Sequence, residues 1–281
     1  YAPVGTGKVW ASGAIQFGRA KGREGGQRFD FTTSGLSVGA DTQLGGKVVV
    51  GAGGGFGREV SDLANDLGQV EARSVSLFAY GSVRPSEKLF IDGVVGGSKM
   101  DFQNTRTVQA TGGEVRGDRS GDQLFGSLSA SWNYATPVVR LSPYARLQYV
   151  RSTLAAYTEK GDATYGLTFS KQKADEMNVS AGLRAEYVHR MARGVLLPRA
   201  RAELTQILSQ TGTSRVSYTS LVDGPSFAID GTPTGMTSVL GGLGLTWRGD
   251  NGWDLSIDVE HSASGADNGV TSVRVGGSGK F

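Results

Sequence analysis

The stretch VTSVRVGGSGKF, residues 270–281, decides how the rest of the chain is read. Taken in steps of two from its last residue, it gives Phe281, Gly279, Gly277, Val275 and Val273. The residues between are Lys280, Ser278, Gly276, Arg274 and Ser272. One set is apolar or small and the other is polar, which is the two-residue period of a strand with two unlike faces. Chain termini commonly fray into water, so a strand that stops on a large apolar residue calls for an explanation in the fold.

The same period runs through the whole sequence, in twelve segments. The first, near 8–19, sets Val9, Ala11, Gly13, Ile15 and Phe17 on one face. Others begin near 31, 47, 72, 88, 122, 141, 175, 195, 236 and 252, and the quoted stretch is the last. The pattern is sharpest late in the chain, where Trp253, Leu255, Ile257 and Val259 alternate with Asp254, Ser256, Asp258 and Glu260. No run approaches the ~18–20 apolar residues of a membrane-spanning helix. Hydrophobic content is 38%, below the ~45–50% usual in globular chains. Glycine reaches 44 residues, where average usage of about 7% predicts roughly 20. Glycine inside alternating segments marks closely packed or strongly curved strands.

The connections alternate as well. LGGK (44–47), PSEK (85–88), ATPVVR (135–140), MARG (191–194) and GDNG (249–252) are short, whereas 20–28, 59–71, 104–121, 158–174, 211–235 and 264–269 are longer and polar. Short turns at one end, long loops at the other, an even strand number and long strands define a bacterial transmembrane β-barrel. Aromatic residues near segment ends (Trp10, Phe17, Phe56, Trp132, Tyr134, Tyr149, Tyr187, Trp247 and Trp253) fit an interfacial girdle. The predicted fold is therefore all-β, a closed antiparallel transmembrane barrel of twelve strands, with residues 1–281 as one domain. Its apolar face meets lipid and its polar face lines a lumen wider than eight strands leave and narrower than a porin's.

The polar faces of the later segments carry Arg146, Arg184, Glu186, Arg199, Arg201, Glu203, Arg248, Asp258 and Arg274. These are the expected pore-lining residues. Segments eight and nine are hairpin partners, so Arg184, Glu186, Arg199, Arg201 and Glu203 are placed to form a cross-strand network that braces the wall or contacts what occupies the pore.

Chemistry of other kinds finds little purchase. There is no cysteine, which removes thiolate metal sites and cysteine nucleophiles. The net charge of +3 comes from 29 basic and 26 acidic residues, too mild a balance to point to nucleic acid. The glycines at 53, 54, 55 and 57 lack the following Lys-Ser/Thr and helix of a phosphate loop. His261 and Ser262 are adjacent and fall on opposite faces of a strand, and His189 has no serine or carboxylate at a useful spacing. No catalytic residue, metal or cofactor is expected.

The chain resembles the translocator (β-domain) of bacterial autotransporters, the type V secretion family, over essentially its whole length. The resemblance is carried by GLSVGADTQLGGKVVVGAGGGFGR (35–58), SVSLFAYGSVRPSEKLFIDGVVGGSK (74–99), LSPYARLQYVR (141–151) and the closing strands through VTSVRVGGSGKF. It implies an outer-membrane domain, a monomer inserted by the barrel assembly machinery and bathed in outer-membrane lipids, that exports an N-terminal passenger through its lumen. Passenger, linker helix and signal peptide are expected outside this chain. The closing strand, with Val273, Val275 and Phe281 on its lipid face, would carry the assembly signal. Gly279 departs from the aromatic residue often found at that position. The alternative reading of the residues is a stand-alone pore or an adhesin acting through its loops.

Overall fold

In the computed structural model the alternation becomes a ring of backbone pairing. The structure describes residues 7–21, 28–63, 67–220, 225–230, 237–264 and 268–280. Twelve long strands follow in order: β1 (Gly7–Lys21), β2 (Arg28–Leu44), β3 (Val48–Leu63), β4 (Gly68–Val83), β5 (Leu89–Val108), β6 (Gly113–Trp132), β7 (Val139–Leu154), β8 (Gln172–Tyr187), β9 (Gly194–Tyr218), β10 (Thr237–Gly249), β11 (Trp253–Ser264) and β12 (Asn268–Lys280). Short pieces at Tyr134–Ala135, Tyr157–Thr158, Leu167–Phe169, His189–Met191 and Phe227–Asp230 extend the hairpins. Each strand pairs antiparallel with the next, and β12 returns to β1 with Lys8 opposite Lys280, Ile15 opposite Val273 and Arg19 opposite Gly269. The fold is a closed twelve-stranded antiparallel barrel.

Closure answers a physical demand. A strand crossing hydrocarbon has no water to satisfy its N–H and C=O groups, so an open sheet edge is excluded there. The distribution of side chains agrees. Among the described residues the buried large apolar side chains are Val108, Val115, Tyr144 and Leu197, whereas Leu77 is 72% exposed and Leu243 71%. Val38, Val75, Val95, Leu128, Val239 and Ile257 lie on the same outer surface. A water-soluble domain has the opposite arrangement. The apolar side chains form an exposed band around the outside of the barrel.

Glycine has two separate uses. In the β2–β3 turn, residues 45–47, Gly45 and Gly46 take φ of 59° and 75°, positive angles that glycine adopts without steric cost. Inside the barrel, glycines seat aromatic rings. A side chain at Gly39 would strike the Trp10 ring, and one at Gly53 would strike Phe78. Trp10 therefore points inward, donates its indole N–H to the Tyr80 hydroxyl and stacks on Phe78 at 6.1 Å. This corrects its assignment to the girdle. Phe17, Phe56, Trp132, Tyr134, Tyr187 and Trp253 are exposed on the outside. Trp253 also covers Gly279, its partner across the β11–β12 pair. Phe281 lies outside the described residues.

A second correction concerns the long connections. The stretch 104–121 is strand on both sides of a turn at 109–112, and β9 continues to Tyr218. In these extensions large apolar residues become sparse, so the sequence signal fades while the ladder persists. The connection 155–171 folds against the lumen-facing set of the β5–β6 hairpin. Arg106 forks onto Glu159 at 3.1 and 2.6 Å, Arg119 Nε donates to the Ala155 carbonyl at 2.8 Å, and Tyr157 stacks on Phe169 at 4.6 Å. At its tip the N–H groups of Thr164 and Tyr165 donate to Asp162, holding that carboxyl below its usual range.

If the outer band faces lipid, Leu77→Arg, near the middle of the band, lowers stability in lipid by ~2–4 kcal/mol. Ser76→Arg, on the inner face, does not produce that loss. Denaturant titration of the two refolded variants in bilayers checks this.

Candidate functional site: the charged wall of the lumen

The inner face is unevenly furnished. On β1–β6 it carries many small residues, such as Ser37, Gly55, Ser76, Ser98 and Ser127, with hydroxyls paired at 2.7 Å between Ser76 and Ser98. On β7–β12 it carries the charges. Their register explains how they meet. Three rows run around this wall, and in each a glycine separates the partners.

In the first row Tyr144 lies opposite Gly182, which lies opposite Glu203. A side chain at position 182 would come within 2.5 Å of the Tyr144 hydroxyl, so the phenol reaches across the glycine and donates to Glu203. In the second, Arg201 lies opposite Gly242 and Gly242 opposite Glu260; Arg201 Nη1 donates to Glu260 at 2.8 Å. In the third, Arg199 lies opposite Gly244 and Gly244 opposite Asp258; Arg199 makes a two-pronged pair with Asp258 at 2.7 and 2.6 Å. Two-pronged guanidinium–carboxylate pairs are the strong and geometrically selective kind.

The rows are tied together at Glu203. Its oxygens accept from Arg146 at 2.6 Å, from Arg201 at 2.6 Å and from Tyr144. Its side chain is only 3% exposed. Arg184 lies over the Tyr144 ring at 4.3 Å. The expected network within the β8–β9 hairpin is not formed among the described residues: Glu186 pairs with Arg140 at 2.9 Å, Arg199 and Arg201 reach Asp258 and Glu260 two strands away, and of the five residues only Arg201 and Glu203, on one strand, are joined. Arg248 is at the short-turn rim with Asp254 at 3.3 Å. Arg274 faces the same lumen and has no ion-pair partner among the described residues. Tyr144 and the glycines at 182, 242 and 244 escaped the sequence reading. The signal was present as three matched dipeptide spacings: Arg199 and Arg201, Gly242 and Gly244, then Asp258 and Glu260 on successive strands.

A cavity of ≈ 510 Å³ opens along this wall in the short-turn half of the lumen, touched by Phe90 and Asp92 of β5, Arg184, Arg199, Arg201 and Arg274. Val273 and Val275 face outward on β12, opposite Ile15 and Gly13 of β1. His261 bonds Thr271 at 2.9 Å on the outer face, while Ser262 belongs to the inner set, so they form no hydrolytic pair. His189 sits by the 192–193 turn near the Tyr187 ring.

Removing a buried partner leaves the other charges unpaired, which costs ~3–5 kcal/mol, whereas an exposed pair is worth about 0–1. Glu203→Leu is therefore expected to lose ~3–5 kcal/mol and Glu186→Leu no more than about 1, read by urea unfolding in micelles. Equal losses contradict the hub role of Glu203.

The Autotransporter beta-domain family matches this chain over residues 9–260. Among solved structures, the translocator domain of the autotransporter NalP from Neisseria meningitidis superposes with a TM-score of 0.80 at 21% identity, covering 98% of this chain and 88% of that one. The β-domain of the Bordetella autotransporter BrkA gives 0.73 at 18% identity, covering 99% and 100%. Among curated proteins, esterase EstA of Pseudomonas aeruginosa is 28% identical over 181 residues, 58% of this chain and 28% of its own length. The uncharacterized protein YaiT of Salmonella typhimurium is 34% identical over 109 residues, 37% and 11%. The chain thus spans less than a third of the length of these curated relatives. With a family match covering most of its length and a closed twelve-stranded barrel, the chain belongs to the Autotransporter beta-domain family.

Proposed function

We propose that residues 1–281 act as one monomeric unit in the bacterial outer membrane, passing an upstream passenger through the lumen and then anchoring it. The observation that carries this reading is the pairing of an apolar exterior with a closed, polar interior, entered by β1 from the short-turn end. In barrels of this kind the short turns are periplasmic, so a segment preceding β1 approaches the lumen from that side. A passenger delivered to the surface then stays joined to β1 by a linker that runs back through the pore.

In this reading Arg146, Arg184, Glu186, Arg199, Arg201, Glu203, Arg248, Asp258 and Arg274 line the path. Most are held by one another, which leaves a water-filled wall without strong binding sites along much of its height. Val273, Val275 and Phe281 on the closing strand serve as the segment that the barrel assembly machinery recognises. The domain itself performs no catalysis. The esterase name attached to one relative describes that protein, and the outward His261 and inward Ser262 of this chain supply no comparable pair.

The test is a fusion. A reporter preceded by a signal peptide and followed by a helical linker is joined upstream of residue 1. External protease on intact cells should remove the reporter while the barrel keeps its heat-modifiable mobility. A reporter that remains periplasmic beside a fully assembled barrel contradicts export and favours a stand-alone pore.

A further inference from the structure

Among the described residues, two arginines of the charged wall have no carboxylate partner. Arg184 on β8 lies between Ser142 and Arg201 in the sheet register, so its neighbours offer no negative charge and one positive charge. The nearby Glu186 is engaged by Arg140 at 2.9 Å. Stacking on Tyr144 holds the Arg184 guanidinium in place. Arg274 on β12 lies between Asp258 and Ala14. Asp258 already gives both oxygens to Arg199, at 2.7 and 2.6 Å. Both free guanidiniums border the ≈ 510 Å³ cavity.

The other side of the lumen directs an occupant toward them. At the same short-turn end Trp10 stacks on Phe78 and meets Tyr80 edge-on, and Tyr80 donates to Asp41 at 2.8 Å. These rings fill space beside β1, β2 and β4. A smaller cavity of ≈ 360 Å³ adjoins Tyr80, and the ≈ 510 Å³ cavity lies against the arginines of β8–β12. The carboxylate that faces this cavity without an ion pair among the described residues is Asp92, on β5. It repels an acidic group from that flank and so favours the arginine wall.

The geometry points to a carboxylate-docking site in the short-turn half of the lumen, formed by Arg184 and Arg274, which engages acidic side chains of a polypeptide occupying the pore. A guanidinium is a natural partner for carboxylate, and within a narrow polar lumen the attraction is screened less than at an open surface. The inference rests on the lumen being a polypeptide path, and it adds the charge that the path prefers.

The experiment uses the refolded chain in micelles and fluorescent ten-residue peptides of glutamate or of lysine, with binding read by anisotropy. Oligoglutamate should bind and oligolysine should not. Arg184→Gln with Arg274→Gln should weaken oligoglutamate at least tenfold, and Arg184→Lys with Arg274→Lys should recover most of the loss. Heat-modifiability checks that each variant is folded; the two residues hold no ion pairs among the described residues, so assembly should be unaffected. As a positional control, Arg58→Gln with Arg73→Gln, on the outer rim, should leave binding unchanged. Absent oligoglutamate binding, equal binding of both peptides, or a loss produced by the rim variant instead would overturn the site. The assay contains no passenger, so its failure leaves the surface-display result standing, and failed display leaves this result standing.

Discussion

Everything in this molecule depends on the hydrogen-bonding demand of backbone placed in hydrocarbon. A strand there must have a neighbour on each side, and a finite sheet can meet that demand only by joining its first strand to its last. The β1–β12 pairing, from Lys8 with Lys280 to Arg19 with Gly269, supplies the join. Once the sheet is a ring, the two-residue period assigns every side chain to the outside or to the lumen. The apolar exterior, the polar interior and the scarcity of buried apolar residues are consequences of that single closure.

The lumen then poses its own problem, because a wall of charges without a core must hold itself in order. The glycines at 182, 242 and 244 solve it sterically. Each gives a long side chain room to cross one strand and reach a partner on the next but one. The ties run circumferentially, so they brace neighbouring staves against each other as well as neutralising charge. The opposite wall does this with rings seated on glycines, as with Trp10 over Gly39 and Phe78 over Gly53. The result is a conduit with one aromatic and hydroxyl-rich side and one charged side, in which Arg184 and Arg274 stand out because the bracing leaves them over.

Much of this was legible in the residues. Val9 to Phe17, Trp253 to Val259 and the alternating turn lengths carry strand number, direction and facing. What they could not carry is structure above the membrane. Residues 113–120, GEVRGDRS, have one wholly polar face, and the other holds only Val115 and Arg119 between glycines, so a single apolar residue is too weak a signal to tell the strand from a loop in sequence. Trp10 was misplaced because a ring at a strand end suits an interface, although its position between the outward Val9 and Ala11 already put it on the inner face, where Gly39 opposite makes room for the ring. The charged residues were found by parity, but their partners were not. Pairing two strands away depends on a small residue between, and a glycine in a glycine-rich chain does not announce that role.

The ring itself is most directly tested at its seam. The chain has no cysteine, so Ala11→Cys and Gly277→Cys, which face each other across β1 and β12, introduce a unique pair of thiols. A short bis-thiol reagent applied to the barrel in membranes should join them within one chain, giving a monomer with altered mobility and nearly complete loss of free thiol. Cross-linking confined to dimers, or thiols that both remain free in a folded barrel, would contradict a sheet closed by its first and last strands.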